Sequence, residues 1–289
     1  MIEESKISEE DFNAIEHLLP GPDPVVRACA PRSSGKEESA RIIPVADTRL
    51  DGNELKYLTE CVESNWISSV GPFVQEFERR FANAVGCEFG VACANGTVAL
   101  HLVLATLGIS AGDEVIIPTF TMIATANAVS YTGAKPVLVD AESETWNMDP
   151  TQIEAKITAK TKAIIVVHTY GHPVEIDAIR EIAERHRLYL IEDAAEAHGA
   201  AYRGRAVGSL GDGASFSFYA NKIITTGEGG MVTTNDPKIA AVARRLRDHA
   251  FSTERHFWHR YRGFNYRMTN LQAAIGLAQT ERMSSLVEI

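Results

Sequence analysis

Lys222 stands between a strand-like run, residues 216–219, and the glycine-rich turn Thr-Thr-Gly-Glu-Gly-Gly. Most strand-end lysines only stay in water. Glycines, however, let backbone approach a ligand closely, and a lysine facing a cleft can lose its proton and attack a carbonyl as a Schiff-base nucleophile. Asp193 closes the apolar run "LYLIED". A carboxylate there is costly unless a cation pairs with it. It reads either as a helix cap or salt bridge, or as the group that keeps a heterocyclic nitrogen protonated. Asn95-Gly96-Thr97 opens the apolar stretch "VALHLVLAT". A buried helix starting with Gly-Thr offers free amides, a hydroxyl and the positive end of its dipole to an anion. A plain N-cap is the alternative.

These side chains need a scaffold. The runs "EVIIPTF", "PVLVD", "AIIVVH" and "LYLIED" are short, β-branched and nearly all apolar, as strands buried on both faces are. Helical stretches at residues 121–131 and 174–186 alternate with them. This order predicts an α/β fold, a mostly parallel sheet sandwiched by helices. Ligands then sit off the carboxyl ends of the strands, where Asp140, His168, Glu192, Asp193, Ser217 and Lys222 fall. Two amphipathic helices flank "WISSVGP", one with Leu55, Leu58 and Val62 and one with Phe73, Phe77 and Phe81 on a single face. Residues 1–41, rich in Pro, Gly and Ser after a short acidic segment, read as an extension or linker; the globular pattern covers residues 42–289. Residues 269–289 read as one helix.

Composition removes several function classes. A net charge of -10 argues against nucleic acid or an anionic membrane as partner. Four cysteines without metal-ligand spacing suit a reduced, cytoplasmic chain, and no apolar run reaches membrane-spanning length. No metal site is expected: "HTYGH" pairs His168 with His172 across a turn, and His256 and His259 carry no assigned role. "GSLGDG" looks like a dinucleotide fingerprint but has the wrong spacing and no helix after it.

An aspartate and a lysine at neighbouring strand ends, with Gly-Thr and Ser donors, suit pyridoxal 5'-phosphate. Residues 42–285 resemble the nucleotide-sugar aminotransferases of the DegT/StrS type, in the aspartate-aminotransferase superfamily. The resemblance lies in "WISSVGPFVQEFERRFA", "NGTVALHL", "GDEVIIPTFTMIATANAV", "GAKPVLVD", "EDAAEAHGA", "TTGEGG" and "GFNYRMTNLQAA", which occur in order. It implies that Lys222 carries the cofactor, that Asp193 holds its ring nitrogen, and that Gly96, Thr97 and Ser217 take its phosphate. It further implies that Asn265 reaches the phosphate of a neighbouring copy, so the active sites of a homodimer are shared. Glu196 stands where many members have glutamine, and Met122 where several have an aromatic ring against the cofactor.

The implied reaction passes an amino group from L-glutamate to a nucleotide-linked keto-sugar, in the making of amino sugars and surface polysaccharide. The stretches around Lys222 and Asp193 look closest to the perosamine-forming branch, which implies a GDP-linked 4-keto-6-deoxy sugar. Two alternatives stay open: a cofactor-binding regulatory protein or inactive fragment, and a sugar dehydratase, in which histidine replaces the lysine. The resemblance also implies the large domain of the fold, with the smaller C-terminal domain of the family cut short. On that reading the chain alone is expected to be less soluble or less active than one extended by such a domain.

Overall fold

The protein was analysed as a computed structural model that describes residues 46–252, 254–255 and 257–289. The expected extension, residues 1–41, lies outside them, as do Cys29 and His256. One unit runs from Thr48 to Ile289. Helices α1 (Glu54–Glu63) and α2 (Pro72–Ala84) come first, on either side of the "WISSVGP" loop. Strand β1 (Phe89–Cys93) then leads into α3 (Gly96–Thr106). The alternation follows: β2 (Glu114–Pro118), α4 (Ile123–Tyr131), β3 (Lys135–Val139), β4 (Thr161–Val167), α5 (Ile176–His186) and β5 (Tyr189–Asp193). A small hairpin, β6 (Ala201–Tyr202) and β7 (Arg205–Ala206), precedes β8 (Gly213–Ser217) and β9 (Gly230–Thr234). Helices α6 (Pro237–Arg247), α7 (Asn270–Thr280) and α8 (Met283–Val287) close the described chain.

Seven strands make one sheet in the order β1-β9-β8-β5-β4-β2-β3. Pairs from β3 through β8 are parallel, whereas β9 runs antiparallel to both neighbours. The sheet is mostly parallel, as its apolar strand sequences require. Period-two alternation sends Ile116, Ile164, Val166 and Phe216 to one core, beneath α2, α5 and α7. Val115, Ile117, Ala163 and Ile165 go to the other, beneath α3, α4 and α6. Strands buried on both faces therefore carry few polar residues until their carboxyl ends. After β2 the chain moves outward to β3 and then back to β4 on the other side. Crevices for ligands form where strand order reverses in this way.

The expected helix over residues 269–289 is broken. Thr269 caps α7 through a reciprocal capping box with Gln272. The chain turns at Arg282, whose guanidinium reaches Asp51 and whose φ of -114° leaves the helical range. Apolar periodicity persists across the turn, since Met283 and Leu286 still pack on the core. The sequence pattern alone therefore hid the break.

Phe77, Phe81, Phe216 and Phe218 are fully buried against one another, with Phe81 edge-on to Phe216 at 4.9 Å and to Phe218 at 5.0 Å. This cluster clamps the start of the Lys222 loop to α2. Phe81→Ala should cost about 3–5 kcal/mol of unfolding free energy. Urea titration of the purified chain measures it, and a loss below about 1 kcal/mol would show that the cluster collapses without penalty.

Candidate active site

Lys222 lies on the long connection between β8 and β9. Phe218 N–H donates to Gly229 O at 2.8 Å and Thr226 N–H to Phe218 O at 2.9 Å, which pinches the base of the loop. Gln272 of α7 donates to Glu228 O at 2.7 Å, and the Thr226 hydroxyl donates to the same carbonyl. The threonines and glycines thus fold the turn onto α7, leaving Lys222 on a tight turn closed by its own amide to Tyr219 O at 2.9 Å. Its Nζ donates to Glu196 Oε1 at 3.2 Å, and the side chain is only 15% exposed. The other oxygen of Glu196 accepts from the Tyr170 amide at 3.2 Å.

Asp193 ends β5, whose neighbour β8 carries Ser215 opposite it. Its carboxylate accepts from the Thr125 hydroxyl at 2.8 Å and from the Ala195 amide at 3.2 Å. Thr125 gives its one proton to Asp193, so Thr121 must donate in their 2.8 Å contact. Among the described residues no lysine or arginine pairs with Asp193. Burial accordingly pushes its pKa up, against the Thr125 and Ala195 hydrogen bonds that favour the ionised form.

The residue before it behaves differently. Glu192 is fully buried, and it accepts from the amides of Gly208 at 2.9 Å, Leu210 at 2.7 Å and Gly211 at 2.7 Å. His168 adds a fourth contact at 3.1 Å. Val174 N–H donates to His168 Nδ1 at 3.2 Å, so Nε2 carries the proton that points to Glu192. The "GSLGDG" loop therefore does form an anion nest, but a protein carboxylate fills it. His168 is thereby committed, and no group of side chains among the described residues is arranged to hold a metal ion.

Asn95 caps α3 by accepting from Val98 N–H at 3.0 Å. The amides of Gly96 and Thr97 lie ahead of the helix's own hydrogen bonds. They abut Ser217: a Cβ on Gly96 would come within 2.8 Å of the serine Cβ. Likewise a Cβ on Gly230 would sit 2.3 Å from Asn95 O, so both glycines are needed for the helix to start against the strand ends. Ser215 reinforces the contact by donating to Gly96 O at 3.1 Å.

The structure thus brings together Lys222 with Glu196, and Gly96 with Ser217, while Asp193 sits one strand over. Met122 caps α4 on the same rim, 72% exposed. Asn265 accepts from Arg267 at 3.1 Å and 2.9 Å, and its neighbour Tyr266 accepts from the Ala94 amide at 2.9 Å. Sequence reasoning missed Thr125, Tyr170 and His198. Thr125 could have been found as a polar residue on the inner face of an apolar helix, four after Thr121. Nothing local marks Tyr170, which acts through its backbone. His198 lies buried among Phe81, Phe216 and Phe218. Burial, and secondarily the charge of Lys222, push its imidazole down to about 3, so it stays neutral.

The donor set suits a phosphorylated pyridine aldehyde: a lysine amine, a buried carboxylate lacking a cation, and helix-start amides beside a serine. The sequence pattern of the DegT/DnrJ/EryC1/StrS aminotransferase family matches residues 48–288. The chain belongs to that family. Within it, the GDP-perosamine synthase of Caulobacter vibrioides is 58% identical over 83% of this chain and 65% of that protein. The GDP-perosamine synthase of Escherichia coli O157:H7 is 50% identical over 86% of this chain and 68% of that protein. Among solved structures, a putative sugar aminotransferase from Streptococcus pneumoniae in its PLP form superposes with a TM-score of 0.80. It is 31% identical, and the match covers 84% of this chain and 67% of that one. The chain spans about two thirds of the length of these relatives.

The Asp193 environment gives a test that needs no turnover. A carboxylate whose folded pKa is raised costs stability as pH climbs above its unfolded value and costs nothing below it. In cofactor-free protein, Asp193→Asn should therefore melt higher than wild type at pH 8, with the gap closing as pH falls toward the usual carboxylate range. An equal gap at pH 8 and pH 5 in thermal melts would show that Asp193 is compensated.

Proposed function

We propose that this protein uses pyridoxal 5'-phosphate to carry an amino group from L-glutamate to a GDP-linked keto-deoxy sugar, converting GDP-4-keto-6-deoxymannose to GDP-perosamine. The observation that carries the reading is a buried carboxylate without a cation, one strand over from a half-buried lysine amine. A protonated pyridine nitrogen is the cation that such a carboxylate lacks. When bound, the cofactor supplies a ring that takes up negative charge from the carbon losing its proton.

The roles of the residues follow from their placement. Lys222 would hold the cofactor through its amine, and its free amine would move the proton as base and then as acid. Asp193, oriented by Thr125, keeps the ring nitrogen protonated. The amides of Gly96 and Thr97 and the Ser217 hydroxyl bind the phosphate at the positive end of α3. Met122 and Glu196, the latter bonded to Lys222, would line the place of the cofactor. Asn265 serves the phosphate of a second copy in a homodimer. Residues 42–289 form the cofactor-binding unit, and residues 1–41 an extension to it. The likeness to two GDP-perosamine synthases supports the choice of nucleotide and sugar. Among the described residues no helix is long and apolar enough to cross a membrane. We place the protein in the cytoplasm, making amino sugar for a surface polysaccharide.

Lys222→Ala should lose the visible absorbance of lysine-bound cofactor and the half-reaction with glutamate, while keeping its circular dichroism. Retained absorbance would move the site to another lysine. Asp193→Asn should still take up cofactor but turn over about 100-fold more slowly, the scale of one lost preorganised electrostatic contact. A panel of GDP-, UDP- and dTDP-linked 4-keto sugars with glutamate tests the substrate. Turnover of a UDP- or dTDP-linked ketone, with none of the GDP-linked one, would overturn that choice. Absence of the glutamate half-reaction in loaded wild-type chain would favour a regulatory role.

A further inference from the structure

Three large aromatic side chains stand exposed on loops that leave the carboxyl ends of parallel strands. Phe120 follows β2, Trp146 follows β3 and Tyr170 follows β4, with exposures of 38%, 60% and 81%. Their rings are contiguous: Phe120 lies 5.5 Å from Trp146 and 6.3 Å from Tyr170, centre to centre. Scattered exposed apolar residues are ordinary, but a continuous aromatic surface off the carboxyl ends of parallel strands marks a binding site.

The surface is held in place. Trp146 and Tyr170 have φ of +65° and +50°, a region that bulky residues seldom occupy. Buried Asn147 sets their separation, accepting from Thr169 N–H at 3.1 Å and donating to His172 O at 3.1 Å. Asn147 adjoins Trp146, and Thr169 adjoins Tyr170, so one amide side chain ties both loops together. The Tyr170 amide in turn contacts Glu196, whose other oxygen contacts Lys222. The aromatic surface is therefore two hydrogen bonds from the amine.

We propose that Phe120, Trp146 and Tyr170 form the platform against which the sugar ring of the substrate lies, an inference that rests on the nucleotide-sugar reading above. The carbon that receives nitrogen has to reach the Lys222 centre, so the ring containing that carbon is the part within range of Tyr170. Diphosphate and base extend away from it. A deoxy sugar offers a face of C–H bonds that fits an aromatic surface, and its hydroxyls can donate to carboxylates. Asp140, exposed and held by the Thr119 hydroxyl at 2.9 Å, stands at the edge, with Glu144 on the Trp146 hairpin. These charges suit a neutral polyol and repel a diphosphate.

The test uses the full chain loaded with cofactor, without amino donor. GDP-4-keto-6-deoxymannose and GDP alone are titrated calorimetrically into wild type, Trp146→Ala, Tyr170→Ala and Trp146→Tyr. Each alanine variant should bind the sugar nucleotide about tenfold more weakly, the loss of one good aromatic contact. GDP affinity, cofactor absorbance and particle mass should stay unchanged, and Trp146→Tyr should recover most of the affinity. Undiminished sugar-nucleotide binding in both alanine variants would overturn the platform. So would an equal loss for GDP alone, which would put the base there, or a lighter particle, which would make the surface a contact between copies. Wild type that loads cofactor but binds no nucleotide sugar would remove the functional reading and the platform with it. That outcome is distinct from any result confined to the variants.

Discussion

A carboxylate fixed at the dry end of a parallel strand with no cation beside it is the constraint on which the site depends. Asp193 cannot move, because β5 is hydrogen-bonded on both sides, by β4 and β8. It is only 7% exposed, and Thr125 of α4 occupies one oxygen. Folding thus leaves an electrostatic deficit at a defined point. The lysine, the helix start and the serine are all arranged around that point by the same sheet order.

Comparison with Glu192 shows how local the distinction is. Two adjacent residues of one strand both bury a carboxyl group, and alternation sends them to opposite faces. On one face, three loop amides and a histidine satisfy Glu192 completely. On the other, two donors leave Asp193 short of positive charge. Both are buried, Glu192 completely and Asp193 to 7% exposure, and their partners differ. The glycine-rich loop that only looks like a dinucleotide fingerprint spends its amides on the structural carboxylate. Free amides remain elsewhere, at Gly96 and Thr97 at the start of α3.

The rim of the site is built by a different principle. Loops leaving β2, β3 and β4 project aromatic side chains outward, and their geometry comes from polar groups beside them, chiefly the buried Asn147 amide and the exposed Glu196 carboxylate. A rigid parallel sheet with short, internally hydrogen-bonded loops allows the floor to be the same in many proteins while the rim varies.

Much of this was legible in the sequence. Unbroken β-branched runs named the buried strands, because a strand covered on both faces has no room for polar residues before its end. The same rule placed Asp193, Ser217 and Lys222 at or beyond the carboxyl ends of strands, and the Asn-Gly-Thr run announced the capped start of α3. Tertiary structure alone decided the rest. Which carboxylate is satisfied depends on loop amides distant in sequence from β5. Thr125 becomes the partner of Asp193 only once α4 crosses the sheet. Tyr170 contributes a backbone amide, which carries no side-chain signature, and the break between α7 and α8 turns on an ion pair between Arg282 and Asp51, far apart along the chain. Sequence pattern reports periodic burial, a local property; the match of each donor to its acceptor is settled only by packing.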